Sequence, residues 1–215
     1  MSFRGTLVCG IAALTLSAGT ALAAGTATPA SAASAPCGRS CMTLYDEKGP
    51  GDVMAVSGGG FGAAGQALTV SAAGPYYWED FMSLSQGTVA SVYARGLVSA
   101  VVDQTWPSDS VYEYEYAPEA VPSGLCVGTA TAGGYDVPVT LQPCGVTSAV
   151  MWLPLPQRPA TGHGFTPLVN GSDTSATSPS VLFGASPMIT EPLVQSLSQP
   201  GYNLFEMWQA DPGDL

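Results

Sequence analysis

The sequence has 215 residues, of which 26 are glycine and 18 are proline, so a long helical bundle is excluded. Hydrophobic residues make up 46% of the chain and charged residues 10%, which is apolar enough to bury a core and too poor in charge for a disordered protein. The formal net charge is -11. Because an acidic surface repels phosphate backbones, we expect no nucleic acid partner.

The N-terminus has the pattern of a secretory signal peptide. Arg4 precedes a small and apolar run over residues 7–23 that ends in Ala-Leu-Ala. This run is short for a transmembrane helix and ends in a cleavage motif, so we predict a signal peptide over residues 1–23 and a secreted, extracellular protein. Residues 24–36 contain only Ala, Gly, Thr, Ser and Pro, which indicates a flexible leader, and a single domain is expected over residues 37–215. A lipid anchor is not favoured, because Cys9 lies too early in the apolar run.

The cysteines agree with export. Cys9 would leave with the signal peptide, and four cysteines would remain in an oxidising compartment, which predicts two disulfides. Proximity in the sequence favours a pair between Cys37 and Cys41. No second apolar run is long enough to span a membrane, so the mature protein is expected to be soluble and not membrane-bound.

Three segments of the chain repeat one pattern. Each opens on an apolar pair, continues to a middle apolar position twelve residues after a valine, and closes on a large aromatic residue. The valine and middle positions are Val56 and Leu68, Val127 and Val139, and Val169 and Val181. Gly- and Ser-rich stretches link them, which predicts short strands joined by turns. We expect the closing aromatics Phe81, Trp152 and Trp208 to meet in a buried core.

The second unit carries a family resemblance. Its elements Leu125-Cys-Val-Gly, Val139-Thr-Leu-Gln-Pro-Cys and Val150-Met-Trp resemble the repeat of ricin B-type β-trefoil (R-type lectin) domains, in which two cysteines flank these strands and a Q-x-W element closes the repeat. The resemblance covers roughly residues 53–209. It implies an all-β fold, a β-trefoil of three degenerate repeats, and a disulfide between Cys126 and Cys144. The chain is also similar to uncharacterised small secreted proteins of high-GC bacteria, through the segments that begin at Gly96, Tyr114 and Ser123.

The connection between the first and second units is longer than the next one, so an insertion is expected there. Residues 98–102 and 111–116 suggest two strands around a turn at residues 107–110. This interpretation is an inserted hairpin between repeats 1 and 2 with Trp106 at its tip.

The resemblance also implies where a sugar would bind: at an Asp after the opening pair, an aromatic platform after the middle strand, and the Gln of Q-x-W. In the order of the three units, the Asp position holds Ser57, Gly128 and Asn170, the platform position Ser71, Gln142 and Gly184, and the Gln position Glu79, Val150 and Glu206. No unit keeps the full set. The third, with Asn170, Asp173 and Glu206, retains polar groups, so any sugar site is expected there, with a weak affinity on the order of millimolar. The favoured alternative is that these three are polar residues of turns and loops.

Signals for catalysis are few. His163 is the single histidine and has no G-x-S-x-G motif beside it, so a catalytic triad is not expected. Acidic pairs occur at Asp46-Glu47, Glu79-Asp80, and Glu113 with Glu115. Such pairs allow a glycosidase-like acid and base, but the favoured interpretation is solvated surface. Too few Cys and His remain for zinc and no calcium loop is present, so neither a metal nor a cofactor is expected.

Two classes of function remain. A secreted, non-catalytic module that binds carbohydrate or cell-wall polymer is favoured by the family resemblance. Tyr76, Tyr77 and Trp78 are candidate contact residues for such a ligand, but the favoured interpretation is that they pack over the barrel rim. The alternative is a secreted protein-interaction or inhibitor-like protein that acts through its inserted loops, with Trp106 as a contact residue. The oligomeric state is left open.

Overall fold

The computed structural model describes residues 42–46, 51–132, 136–155, 165–175, 177–184, 192–196 and 208–211. The chain separates into two compact units, Met1–Ala32 and Ala33–Leu215, and all described residues belong to the second. The expected signal peptide, the leader and the pairing of Cys37 with Cys41 lie outside the described residues.

Short strands are the main secondary structure of the described residues, as the turn-rich sequence predicts. Twelve are described: β1 Thr43–Asp46, β2 Asp52–Val56, β3 Leu68–Ala72, β4 Phe81–Thr88, β5 Ser110–Tyr116, β6 Leu125–Thr129, β7 Val137–Pro143, β8 Trp152–Pro154, β9 Leu168–Asn170, β10 Ser180–Phe183, β11 Leu193–Ser196 and β12 Trp208–Asp211. Two short helices, α1 Val89–Tyr93 and α2 Ala100–Thr105, lie between β4 and β5. Single 3-10 turns occupy Tyr77–Glu79, Pro118–Ala120 and Ser148–Val150.

The strands form two antiparallel sheets. The smaller has the order β12-β1-β2-β3, and the larger has the order β4-β5-β6-β7-β11-β10-β9-β8. A further pairing of β8 with β5 closes the strands β5 to β11 of the larger sheet into a ring, with β4 paired to β5 outside it, which removes exposed edges from the strands of the ring. Isolated bridges between Met42 and Phe81 and between Thr166 and Trp208 connect the two sheets.

The twelve-residue interval corresponds to strand pairing. Val56 lies directly opposite Leu68, and Val169 lies directly opposite Val181. In the second unit Val127 lies opposite Leu141, two residues beyond the expected partner. Because side chains alternate along a strand with a period of two, a shift of two residues keeps the same side chains on the core face. The repeat is therefore present in all three units, with a different register in the second.

The three closing aromatics are fully buried in one cluster, which confirms the expectation for Phe81, Trp152 and Trp208. Each indole N–H finds a backbone acceptor: Trp152 Nε1 donates to the carbonyl of Val127 at 2.8 Å, and Trp208 Nε1 donates to that of Leu182 at 3.1 Å. Burial of the large rings is therefore not offset by an unpaired donor.

The disulfide between Cys126 and Cys144 is present, as the resemblance implies, with an S–S distance of 2.03 Å. It joins β6 to the residue after β7, across a pair of strands that are also hydrogen-bonded to each other. A disulfide of this kind is typical of proteins in oxidising compartments.

The inserted segment differs from the expected hairpin. Residues 98–102 do not form a strand, because Ala100–Thr105 is a helix, and β5 pairs with β4 instead. Ser99 caps this helix by accepting a hydrogen bond from the amide of Val102, and Thr88 caps α1 in the same way through the amide of Ser91. The strand predicted over residues 98–102 was based on their apolar character alone. It took no account of the N-cap at Ser99 or of the helical spacing of the apolar residues.

The helices bury a second apolar cluster against the outer face of the second and third units. It includes Val89, Val92, Val98 and Val102 from the insertion, and Trp106 packs against it. Trp106 is half-buried at the end of α2, where its amide donates to the carbonyl of Val102. The residue expected at an exposed tip is therefore partly a core residue of the insertion.

Candidate functional site

Two of the predicted sugar-site residues of the third unit, Asn170 and Asp173, lie at the end of β9 and in the loop that follows it. Asn170 is 1% exposed, and its Nδ2 donates to the carbonyl of Ala149 at 3.0 Å. Its Oδ1 accepts from the amide of Ser172 at 3.0 Å and from the hydroxyl of the same residue at 2.5 Å. All of these partners belong to the protein, so the Asn170 amide shapes the loop that follows β9.

Asp173 lies in the same loop and is fully buried. Its Oδ1 accepts from the hydroxyl of Ser180 at 3.0 Å, and burial raises the pKa of the carboxyl. The insertion covers this loop: the amide of Ser99 donates to the carbonyl of Gly171 at 2.8 Å, and the Ser99 hydroxyl donates to the carbonyl of Asp173. Glu206 lies outside the described residues. The structure thus brings Asn170 and Asp173 together below the insertion, where both have internal partners.

The first unit carries an aromatic cluster at the surface, which we call the aromatic patch and define as Phe61, Tyr76, Tyr77 and Trp78. The ring centroids of Tyr76 and Trp78 are 4.4 Å apart, those of Tyr77 and Trp78 are 5.1 Å apart, and those of Phe61 and Tyr77 are 6.1 Å apart. Phe61 is 69% exposed and Tyr76 is 38% exposed. Tyr77 and Trp78 are half-buried, and Trp78 packs against the main core cluster, so the rings that the patch offers for stacking are those of Phe61 and Tyr76.

The loop that carries Phe61 is held in place on both sides of this residue. The hydroxyl of Tyr116 donates to the carbonyl of Gly60 at 2.5 Å. On the other side, a Cβ at Gly62 would lie 2.9 Å from the Tyr116 ring, so only glycine fits there. The side chain of Gln66 donates to the carbonyl of Gly59, which lies against the Trp78 ring. Phe61 is therefore exposed at a position that is fixed by the contacts of the loop on both sides of it.

Three carboxyl groups lie beside the aromatic patch. Glu79 directly follows Trp78 and is 3% exposed; its Oε2 accepts from the amide of Gly74 at 2.9 Å, and burial raises its pKa. Burial also raises the pKa of the next residue, Asp80, to about 6, although the backbone amide of Glu119 donates to it, and the Glu119 carboxylate raises it further. These groups make the neighbourhood of the patch acidic.

Burial of the carboxylates is a correction to the sequence interpretation, which placed the acidic pairs on solvated surface. Glu113 and Glu115 are 2% and 8% exposed. Glu113 accepts from the amide of Gly145 at 2.5 Å and from the side chain of Gln86 at 2.7 Å, and Glu115 accepts from the amide of Gly124 at 2.7 Å. Backbone donors at two turns thus compensate for the lost hydration, and both carboxylates fix turns next to the disulfide.

Within the described ranges, no group of three or more His, Cys, Asp or Glu side chains is arranged to hold a metal ion. The same residues include no helix that is long and apolar enough to cross a membrane.

Sequence reasoning identified Tyr76, Tyr77 and Trp78 as possible contact residues but missed Phe61. The available signal was a single large apolar residue within a loop of glycines, which is an unusual place for a phenylalanine.

The fold is the expected β-trefoil, and comparison with solved structures shows likeness at the level of the fold. The chain is similar to a designed 3-fold symmetric protein, ThreeFoil, with 11% identity and a TM-score of 0.55 over 80% of this chain and 97% of that one. It is also similar to part of a mosquitocidal holotoxin, with 12% identity and a TM-score of 0.54 over 81% of this chain and 17% of that one. An exo-beta-1,3-galactanase from Clostridium thermocellum matches with 10% identity and a TM-score of 0.53, over 80% of this chain and 30% of that chain. No protein-family model matches the chain, and no curated protein matches it.

Proposed function

We propose that this chain is a secreted, non-catalytic module that binds carbohydrate through the aromatic patch of its first unit. The observation that carries the proposal is the anchored set of contacting rings in which Phe61 and Tyr76 are exposed and Tyr77 and Trp78 support them. The apolar face of a sugar ring stacks on an aromatic face. The patch supplies the stacking surface that the family's platform position lacks in this sequence.

The surroundings of the patch support binding more than catalysis. Glu79 and Asp80 are adjacent in the chain, and each accepts a hydrogen bond from a backbone amide. Carboxyls used in this way help to position the turn that carries Tyr77 and Trp78. The fold likeness to part of a galactanase is in line with a role in glycan recognition, and the disulfide is in line with secretion.

A glycan array followed by isothermal titration calorimetry tests the proposal on the purified protein. We expect the variants Phe61→Ala and Tyr76→Ala each to weaken glycan binding by about tenfold, since each removes one stacking face. Tyr93→Ala is the matched control, because Tyr93 is an aromatic residue of similar exposure (42%) on helix α1 of the insertion. Binding that persists unchanged in both patch variants would contradict the assignment to the patch.

The site predicted in the third unit stays a second proposal. If it binds sugar, Asn170→Ala abolishes a weak affinity that the patch variants leave intact. If the array shows no glycan binding at all, the alternative of a protein-interaction role through the insertion is favoured, and Tyr93→Ala and Trp106→Ala become the variants to test against captured partners.

A further inference from the structure

The rings of the aromatic patch lie in two different planes. Tyr76 and Trp78 are nearly parallel, with an interplanar angle of 10°, and Phe61 and Tyr77 are inclined by only 24°. Tyr77 and Trp78, however, meet edge to face at 76°. The two outer rings, those of Phe61 and Tyr76, therefore belong to planes that are far from parallel.

This arrangement discriminates between shapes of ligand. A flat surface, such as the face of a crystalline polysaccharide, makes contact with one plane at a time and leaves the other ring without a partner. In a single chain with a bend at the linkage, neighbouring sugar rings lie in different planes. Such a chain is able to stack one sugar on each of the two aromatic planes. Stacking on both Phe61 and Tyr76 thus requires a ligand with a bend between neighbouring sugars.

The angle between the planes is held by the protein. Gly59 lies under Trp78, and a Cβ there would come within 3.2 Å of the Trp78 ring, at a backbone φ of +67°. The loop that carries Phe61 is fixed by Tyr116 through Gly60. Because these contacts are formed by the protein alone, the ligand has to match the bend instead of inducing it.

Charge restricts the ligand further. Glu79, Asp80 and Glu119 lie together beside the patch, and the whole chain has a formal net charge of -11. An anionic polysaccharide is repelled by this field, whereas an uncharged one is not.

We propose that the aromatic patch binds a single, uncharged polysaccharide chain with a bend between successive sugars, two rings at a time, and not a flat crystalline polysaccharide surface. This inference rests on the proposed function and names the class of ligand for the same site.

The test compares two matched series of oligosaccharides, from one to six sugars, by isothermal titration calorimetry. The bent series consists of β-1,3-linked glucose and β-1,3-linked galactose, and the straight series consists of β-1,4-linked glucose. Polygalacturonate serves as the anionic polymer, and microcrystalline cellulose in a pull-down serves as the flat surface. The wild type is measured beside Phe61→Ala, Tyr76→Ala and the control Tyr93→Ala.

For at least one bent series, we expect affinity to rise about tenfold from one sugar to two or three and then to level off, because two stacking faces are filled. The straight series and polygalacturonate should show no such rise, and cellulose should not retain the protein. Each patch variant should remove the gain with length, and the control should keep it. Equal affinity for one sugar and three in both bent series, tighter binding of the straight series, or retention on cellulose would overturn this inference while leaving the proposed function intact. The absence of binding to any glycan would instead remove the proposed function itself.

Discussion

Replacement of Asp80 by asparagine should stabilise this protein at neutral pH. Asp80 is partly buried, its Oδ2 is buried without a hydrogen-bond partner, and the Glu119 carboxylate lies close to it. Asparagine removes the charge that is costly to bury. Its side-chain oxygen still accepts from the backbone amide of Glu119, and its NH2 group is able to donate where the carboxylate only accepts.

The structure gives the sign and the size of the effect. Burial, together with the charge of Glu119, raises the pKa of Asp80 from 3.8 to about 6. A difference of that size corresponds to about 3 kcal/mol, and solvent screening of a partly exposed group reduces it to about 1–2 kcal/mol. The pKa of Asp80 is higher in the folded state than in the unfolded state, so binding of a proton to Asp80 stabilises the fold. This contribution is fully present below pH 3.8 and is lost as the pH rises through about 6.

Urea unfolding followed by tryptophan fluorescence, at pH values between 4 and 8, measures the difference. We expect Asp80→Asn to be more stable than the wild type at pH 8 by about 1–2 kcal/mol, equal to it near pH 4, and less dependent on pH. Asp103→Asn, on helix α2, is the control for loss of one negative charge. If Asp80→Asn were less stable at pH 8, or kept the pH dependence of the wild type, the account of Asp80 would be wrong.

Three further changes test the core and its polar contacts. Replacing Cys126 and Cys144 together by alanine should lower the free energy of unfolding by about 3 kcal/mol, given their sequence separation of 18. Urea unfolding of this variant without reductant should show about the same loss of stability as reduction of the disulfide in the wild type. Glu113→Ala should cost about 1–3 kcal/mol and speed hydrogen exchange at the Gly145 amide; unchanged exchange there would contradict the hydrogen bond. Trp152→Phe should cost about 1–3 kcal/mol in thermal unfolding, since it removes both buried volume and an indole hydrogen bond, and an unchanged melting temperature would argue against full burial.

The β-trefoil could be predicted because its signals repeat along the chain. The constant interval that links Val56 to Leu68 and Val169 to Val181 reflects residues directly opposite each other in paired strands. A pairing of this kind is visible in one sequence, since both strands belong to one hairpin and their side chains alternate with a fixed period. Cys126 and Cys144 flank such a hairpin, so their disulfide followed from the same resemblance.

The insertion was predicted as a hairpin because its short helices have little local signal. Helix α2 has only six residues, too few for an isolated helix to be stable. Its stability comes from the Ser99 cap and from Val98 and Val102, which pack against the second and third units. Those contacts join residues far apart in the sequence, so the pattern of apolar residues alone did not distinguish helix from strand.

What the sequence by itself determined is therefore the part of the protein that local repetition encodes: three β-units, three buried aromatics, and the hairpin that the disulfide closes. Tertiary structure alone added Phe61 to the aromatic residues that the sequence singled out, and alone decided which carboxylates are buried. Phe61 reaches Tyr77 only because the loop between β2 and β3 folds back onto Tyr116, and Glu113 is buried only because a turn of another unit offers it the Gly145 amide. Strand pairing follows a period that can be counted in a sequence, whereas contacts between loops depend on how the units close around a shared core.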